Sequence, residues 1–336
     1  MSARRGVPRQ ALPWRIDFAW QRSYTAALLV AVLFIAYILK NGSFGTIEAL
    51  GISNDALPLA LAAVGETFVI LTNGIDLSVG SVITLANVTV AVMADNGHAW
   101  EGVLVAIALG AAAGLLNGLI VSFARIAPLI ATLATSSIFV GIALIVLPNP
   151  GGTVPGWLST GTAGTVGSVP VAVIWLTVAI VAGWILLRRT PFGINLQALG
   201  GSESASWSAG INVTRVRILA YVASGTCSAL AGIVLAGLTQ SGDPTIGNVY
   251  LLDAIAAVVV GGTSLAGGVG TLSGSVLGAC ALALVSAVLL VSGLSTDYQY
   301  IVTGAIVIGA LLAHTLQSKA AVRAARRERP AEGVPA

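Results

Sequence analysis

All but one of the sixteen Lys and Arg residues fall in five short stretches: Arg4 to Arg22, Arg125, Arg188–Arg189, Arg215–Arg217 and Lys319 to Arg329. Between these stretches the apolar runs come in even numbers, so every basic stretch can lie on one side of a membrane. Only Lys40 falls outside the set. Cytoplasmic loops of membrane proteins carry the Lys/Arg excess. The pattern therefore predicts a chain with both ends inside, and it makes residues 188–217 the largest internal loop.

Composition supports a membrane solvent. A soluble domain carries about 25% charged residues; this chain carries 9%, with 56% hydrophobic residues and a mean hydropathy of +0.94. Apolar runs near the length that crosses about 30 Å of hydrocarbon recur along it. The 40 glycines fit helices that approach closely in lipid. A formal charge of +3 comes mostly from the basic ends and loops. That charge suits orientation and contact with lipid headgroups, and it leaves no basic face large enough for nucleic acid. Cys227 and Cys280 sit inside apolar runs and read as small buried side chains.

The fold class expected is all-α: a polytopic bundle of about ten transmembrane helices, short or broken ones among them, with both termini cytoplasmic. The spans fall near residues 24–39, 55–72, 78–94, 100–122, 128–147, 170–187, 214–238, 250–262, 270–292 and 299–316. Cytoplasmic tails are expected at 1–23 and 317–336, and the transmembrane domain at 24–316 encloses a cytoplasmic segment at 190–213. No polar stretch could bury a core of its own. The run Tyr24 to Leu39 lacks a clear small-x-small cleavage pattern and is taken as a retained first span. The 250–262 run is short for a straight crossing, and the 55–72 run contains Pro58 and ends in Thr72-Asn73-Gly74. Irregular backbone at membrane depth occurs where it is buried in protein or lines a cavity. Residues Val69 to Ser81 and Val259 to Thr271 share a layout of apolar run, glycine-containing break and apolar run, which hints at an internal repeat.

Catalytic motifs are absent. Without G-x-x-x-x-G-K-[ST] the chain is not expected to hydrolyse nucleotides itself. His98 and His314 fall in an outer loop and at the end of the last span, so an intramembrane serine has no base to use. No catalytic residue, metal site or cofactor is expected on this chain.

The segment Arg188 to Arg217 reads as two short helices. Thr190 can cap the first, with Pro191 at its first helical position. Gly200–Gly201 ends it. Ser202 can cap the second, Glu203 suits its positive end, and Gly210 can close it. A short, rigid helix pair held on the inner face is what a mechanical link to a cytoplasmic motor requires.

Longer stretches here resemble one family. Thr190-Pro-Phe-Gly-Ile-Asn, Ala198-Leu-Gly-Gly-Ser-Glu-Ser-Ala205 and Ser208-Ala-Gly-Ile-Asn-Val-Thr-Arg-Val-Arg217 look like the coupling segment of bacterial ABC sugar permeases of the ribose/xylose/arabinose type. Leu252 to Leu265 and Gly267-Gly-Val-Gly270 resemble a later motif of that family. Upstream, Asn73 to Ser81, Gly114-Leu-Leu-Asn-Gly118 and Arg125 to Leu133 resemble it in the same order. The likeness spans about residues 60–316. Two departures stand out: Leu251 where the family usually has an acidic residue before the Leu-Asp pair, and the absence of a basic or further bulky residue near Trp207 and Ser208.

The resemblance implies a bacterial inner-membrane permease that imports a pentose, hexose or related sugar. It also implies a second permease copy, a periplasmic or membrane-anchored solute-binding protein, and a cytoplasmic sugar-type ATPase that holds ATP and Mg. On this reading Ala198, Gly200, Gly201, Ser202, Glu203, Ala205 and Gly210 couple to the ATPase. Polar residues within spans default to functional candidates, here Glu66, Asn73, Asp76, Asn117, Thr132, Asp253 and Thr263 along the path. Two alternatives remain. One is a permease of the same superfamily for branched-chain amino acids or another small solute. The other is an ion-coupled secondary transporter with Glu66, Asp76 or Asp253 as relay, which has no reason to keep the 190–213 segment.

Overall fold

A computed structural model describes the backbone of residues 14–295, 298–299, 301–306, 308–309 and 312, with side chains from residue 24 onward. Helix α1 (Trp14–Asn41) leads into α2 (Thr46–Leu71), the most enclosed helix of the bundle. At 26 residues α2 is roughly 39 Å long, enough to cross the membrane. It begins well before the expected start at residue 55, which shortens the outer loop placed at 40–54. Two local bonds explain the extension: the Gly45 N–H donates to the Glu48 carboxylate at 2.8 Å, and the Ser53 hydroxyl donates to the Leu50 carbonyl at 3.2 Å. Pro58 is carried inside the helix without ending it. The break comes instead at residues 72–78, where Asn73 takes a left-handed φ of 63°.

Beyond the break lie α3 (Val79–Asp95) and α4 (Ala99–Leu119), which widens into a π-helical turn at Ile120–Ala124 and stops at Arg125, φ 54°. Helix α5 (Pro128–Val146) follows. The 148–169 stretch, expected as a loop, contains α6 (Gly156–Ala163) and most of a small hairpin of β1 (Thr165–Val166) and β2 (Val169–Pro170). Trp157 of α6 stacks on Trp100 of α4, ring centroids 4.3 Å apart. Helix α7 (Val171–Arg189) then enters α8 (Pro191–Gly201) and α9 (Glu203–Ser208). Next come α10 (Val213–Thr239), a 3-10 turn at Ile246–Val249 running into α11 (Tyr250–Val260), and α12 (Leu272–Val291), beyond which described residues at 298–299 and 301–306 are again helical.

Among the described residues seven helices are long and apolar enough to cross a membrane, and Val79–Asp95 and Ile246–Val260 form shorter apolar helices. Of the expected span at 299–316, residues 299, 301–306, 308–309 and 312 are described and helical. The expected N-terminal tail at 1–23 is helical from Trp14 on, as the start of α1, while residues 1–13 and 317–336 lie outside the described residues.

Close backbone approach holds the bundle. On α4 Gly110, Gly114 and Gly118 recur every four residues and so share one face. A Cβ at Gly110 would overlap the Gly225 carbonyl of α10, and one at Gly114 would overlap that of Tyr221. Small residues of this kind allow packing that van der Waals contact alone must supply in lipid. Large apolar side chains of α1, α5 and α7, such as Leu28, Ile35, Leu133, Ile145, Trp175 and Ile185, are exposed outside the bundle.

A capped helix pair and a buried polar network

The face that carries Arg125, Arg188–Arg189, Arg215 and Arg217 also carries α8 and α9. Local chemistry fixes both helices. Thr190 Oγ1 accepts from the Gly193 N–H at 3.3 Å and donates to the Leu186 carbonyl at 2.5 Å. Pro191 occupies the first helical position of α8. Ser202 Oγ accepts from the Ala205 N–H at 3.3 Å and so caps α9. Gly210 closes α9 at φ 81°, its N–H donating to the Trp207 carbonyl at 3.0 Å. Asn212 then caps α10 through the Arg215 N–H at 2.9 Å. An ion pair between Glu203 and Arg217, 2.8 Å, ties α9 to the first turns of α10.

Ala198, Gly201, Ser202, Glu203, Ala205 and Gly210 are all exposed on this face, whereas Gly200 is half-buried and turned toward the bundle. Trp207, which the sequence did not single out as a site, is 75% exposed and gives the pair its largest apolar surface. A basin of about 1210 Å³ separates the pair from Asn73, Arg125 and Tyr221.

Above the basin, the α2–α3 break rests on a network of its own side chains and those of four helices. The Asp76 N–H donates to Glu66 Oε1 on α2 at 3.1 Å. Asp76 Oδ1 accepts from the Ser78 N–H at 3.0 Å and the Ser78 hydroxyl at 2.6 Å, which turns the chain into α3. Its second oxygen accepts from Ser224 of α10 at 2.9 Å. Asn117 of α4 donates to Ser78 Oγ at 2.8 Å and accepts from Thr135 of α5 at 2.6 Å. Thr132 of α5 accepts from the Leu77 N–H at 3.0 Å. Irregular backbone within a membrane must be satisfied by protein groups, and these bonds satisfy it. Glu66, Asn117 and Thr132 are fully buried and Asp76 nearly so, so in this conformation they hold helices together and face no open space. Among the described residues Glu66 Oε2 and the Tyr221 hydroxyl are buried without a hydrogen-bond partner.

The remaining candidates lie elsewhere. Asn73 is exposed and lines the basin. Thr263 is buried in the second break, between α11 and α12, with its hydroxyl unpaired. Asp253 lines a separate cavity of about 530 Å³ near the opposite ends of α1, α2, α11 and α12, together with Tyr37, Asp55 and Tyr250. Sequence reasoning missed Ser78 and Ser224 as members of the network, and Tyr221 buried beside it. Ser78 sits inside the Asn73 to Ser81 motif, which was a usable signal; Ser224 lies 148 residues from Asp76 and gave none. No group of three or more His, Cys, Asp or Glu that could hold a metal occurs among the described residues.

Fold and site together define a polytopic α-helical membrane protein with a capped helix pair on its basic face. The chain belongs to the family described as branched-chain amino acid transport system / permease component, which matches residues 48–311. Its relatives place it with sugar-import permeases. It is 41% identical to the ribose import permease protein RbsC of Bacillus subtilis (strain 168) over 292 residues, covering 84% of this chain and 89% of that one. It is 38% identical to the ribose import permease protein RbsC of Escherichia coli (strain K12) over 306 residues, covering 88% and 94%. The L-arabinose transport system permease protein AraH of the same strain is 37% identical over 302 residues, covering 88% and 92%. No solved structure matches the chain.

Proposed function

We propose that this chain is the transmembrane subunit of an ATP-driven importer for a monosaccharide, a pentose, hexose or related sugar. The observation that carries the proposal is the exposed, end-capped α8–α9 pair on the basic face of a chain with sugar-import relatives. A helix pair fixed by caps at both ends moves as a rigid body, which is what a push from a separate ATPase needs. ATP and Mg belong to that ATPase, since this chain has no phosphate-binding loop. The basic face is then cytoplasmic, both termini lie there, and the described helices with 299–316 make ten crossings of a bacterial inner membrane. A second permease copy completes the path, and a solute-binding protein delivers sugar at the opposite face.

On this proposal Ala198, Gly200, Gly201, Ser202, Glu203, Ala205 and Gly210 form the coupling element. Asn73 and Asp253 border the path near its two ends and Thr263 marks the second break. Glu66, Asp76, Asn117 and Thr132 act on the path through the helices they hold. The family's description favours a second solute class, branched-chain amino acids, while the relatives' own names favour sugars.

The test is uptake in proteoliposomes containing this chain, its ATPase and its binding protein. Labelled ribose or arabinose should accumulate only with ATP inside the ATPase compartment, and a protonophore should leave uptake unchanged. Uptake by this chain alone on a proton or sodium gradient supports a secondary transporter instead, and ATP-dependent uptake of leucine but not sugar supports the second solute class.

A further inference from the structure

Three glycine-containing segments from distant parts of the chain meet by backbone alone beneath the bundle. Gly200 lies in the last turn of α8, and a Cβ there would overlap the Leu71 carbonyl at the end of α2 and the Gly268 N–H in the α11–α12 break. The Leu71 carbonyl, left without a helical partner at its helix end, accepts from the Gly268 N–H at 3.1 Å. Beside them, a Cβ at Gly267 would lie 2.9 Å from the Asn73 backbone nitrogen.

We propose that this junction of Gly200, the Leu71 carbonyl and Gly268 is the positioning contact through which α8 moves both helix breaks at once. The proposal rests on the coupling role given to α8–α9 above. Side chains cushion most helix contacts by changing rotamer, but backbone pressed on backbone has no such freedom, and close-packed contacts transmit displacement. A shift of α8 must therefore shift Leu71 or Gly268. Leu71 leads within a few residues to Asp76 and Leu77, whose N–H groups are held by Glu66 and Thr132. Through them the displacement reaches α3, α4, α5 and α10. Gly268 carries the same displacement to α11 and α12. Both breaks occupy corresponding places in the two similar stretches noted in the sequence, so one input drives two equivalent hinges.

Gly200→Ala separates this role from helix stability, because alanine is the stronger helix former and favours α8 itself. The readout is sugar taken up per ATP hydrolysed in proteoliposomes of the full complex. Gly200→Ala should lower that ratio severalfold or more, while stimulated hydrolysis persists. Gly161→Ala, whose Cβ would meet no atom within 4 Å, should leave the ratio unchanged. A Gly200→Ala complex with the wild-type ratio overturns the junction. Where Gly200→Ala does not assemble, Ser204→Cys with Ala266→Cys, in a chain carrying Cys227→Ala and Cys280→Ala, decides. Both positions line the basin beside the junction. On this proposal α9 and the α11–α12 break move together, so a short cleavable thiol cross-linker between them should leave the ratio unchanged; a ratio that collapses on cross-linking and returns on cleavage shows that the two move apart and overturns the junction. Wild-type uptake that needs no ATPase would instead refute the coupling role, a separate failure.

Discussion

Asn117 offers the sharpest test of the buried network. Its side chain is fully buried and makes two bonds, donating to Ser78 Oγ at 2.8 Å and accepting from Thr135 Oγ1 at 2.6 Å. Asn117→Ala removes both, yet orphans neither donor: Thr135 still reaches the Thr132 carbonyl at 3.1 Å and Ser78 still donates to Asp76. The full penalty for a buried unpaired donor therefore does not apply. Side-chain hydrogen bonds within membranes average about 0.6 kcal/mol, so two give about 1.2 kcal/mol. A cavity the size of a carboxamide adds about 1 kcal/mol or more. The expected loss is about 2–3 kcal/mol. The cleaner quantity is the coupling to Thr135, obtained by a double-mutant cycle with Thr135→Val. Reversible unfolding in mixed micelles should return an interaction of about 0.6–1.7 kcal/mol. If Thr135→Val costs the same in wild type and in Asn117→Ala, within about 0.3 kcal/mol, the two side chains do not interact and the network as drawn is wrong.

Two other perturbations bear on packing and orientation. Gly114→Val should force α4 away from the Tyr221 carbonyl of α10 and cost about 1–3 kcal/mol, whereas Gly141→Val, with open space around it, should cost far less in the same unfolding experiment. In a chain lacking Cys227 and Cys280, cysteines at Thr153 and Ser241 should react with an impermeant thiol reagent in intact cells. A cysteine at Ser204 should react only after the membrane is opened, and labelling of Ser204 from outside would falsify the orientation.

Local chemistry made α8 and α9 legible in the sequence. Thr190, Pro191, Ser202 and Gly210 act on backbone groups no more than four residues away, so their positions alone announce where each helix starts and stops. Asn73-Gly74 announced the first break for the same reason, Asn73 being one of the few described non-glycine residues with positive φ. The start of α2 was not legible. Ser53, Asn54 and Asp55 interrupt the apolar run and resemble a loop, but a helix accommodates them once Ser53 bonds back to Leu50. Helix α6 was hidden by its glycines and threonines, and packing of Trp157 on Trp100 is a tertiary contact. Long-range pairing set the rest. Glu66, Asp76, Asn117 and Thr132 stood out singly as polar residues in apolar surroundings, yet nothing in the chain shows that Ser224 closes on Asp76 or that Gly200 meets Gly268.

Coupling through α8–α9 is tested most directly by ATP hydrolysis in the assembled complex, measured with and without sugar-loaded binding protein. Glu203→Lys places a cation against Arg217, reversing an ion pair now 2.8 Å long. Gly210→Val forces a β-branched residue into a backbone at φ 81°, a strain of about 1–3 kcal/mol. Both changes misplace the exposed helix while the buried network keeps its bonds. Each mutant is therefore expected to capture loaded binding protein normally and to lose most of the stimulated hydrolysis and uptake. Wild-type stimulation and wild-type uptake in both assembled mutants would contradict the coupling role and reduce residues 190–213 to a connector.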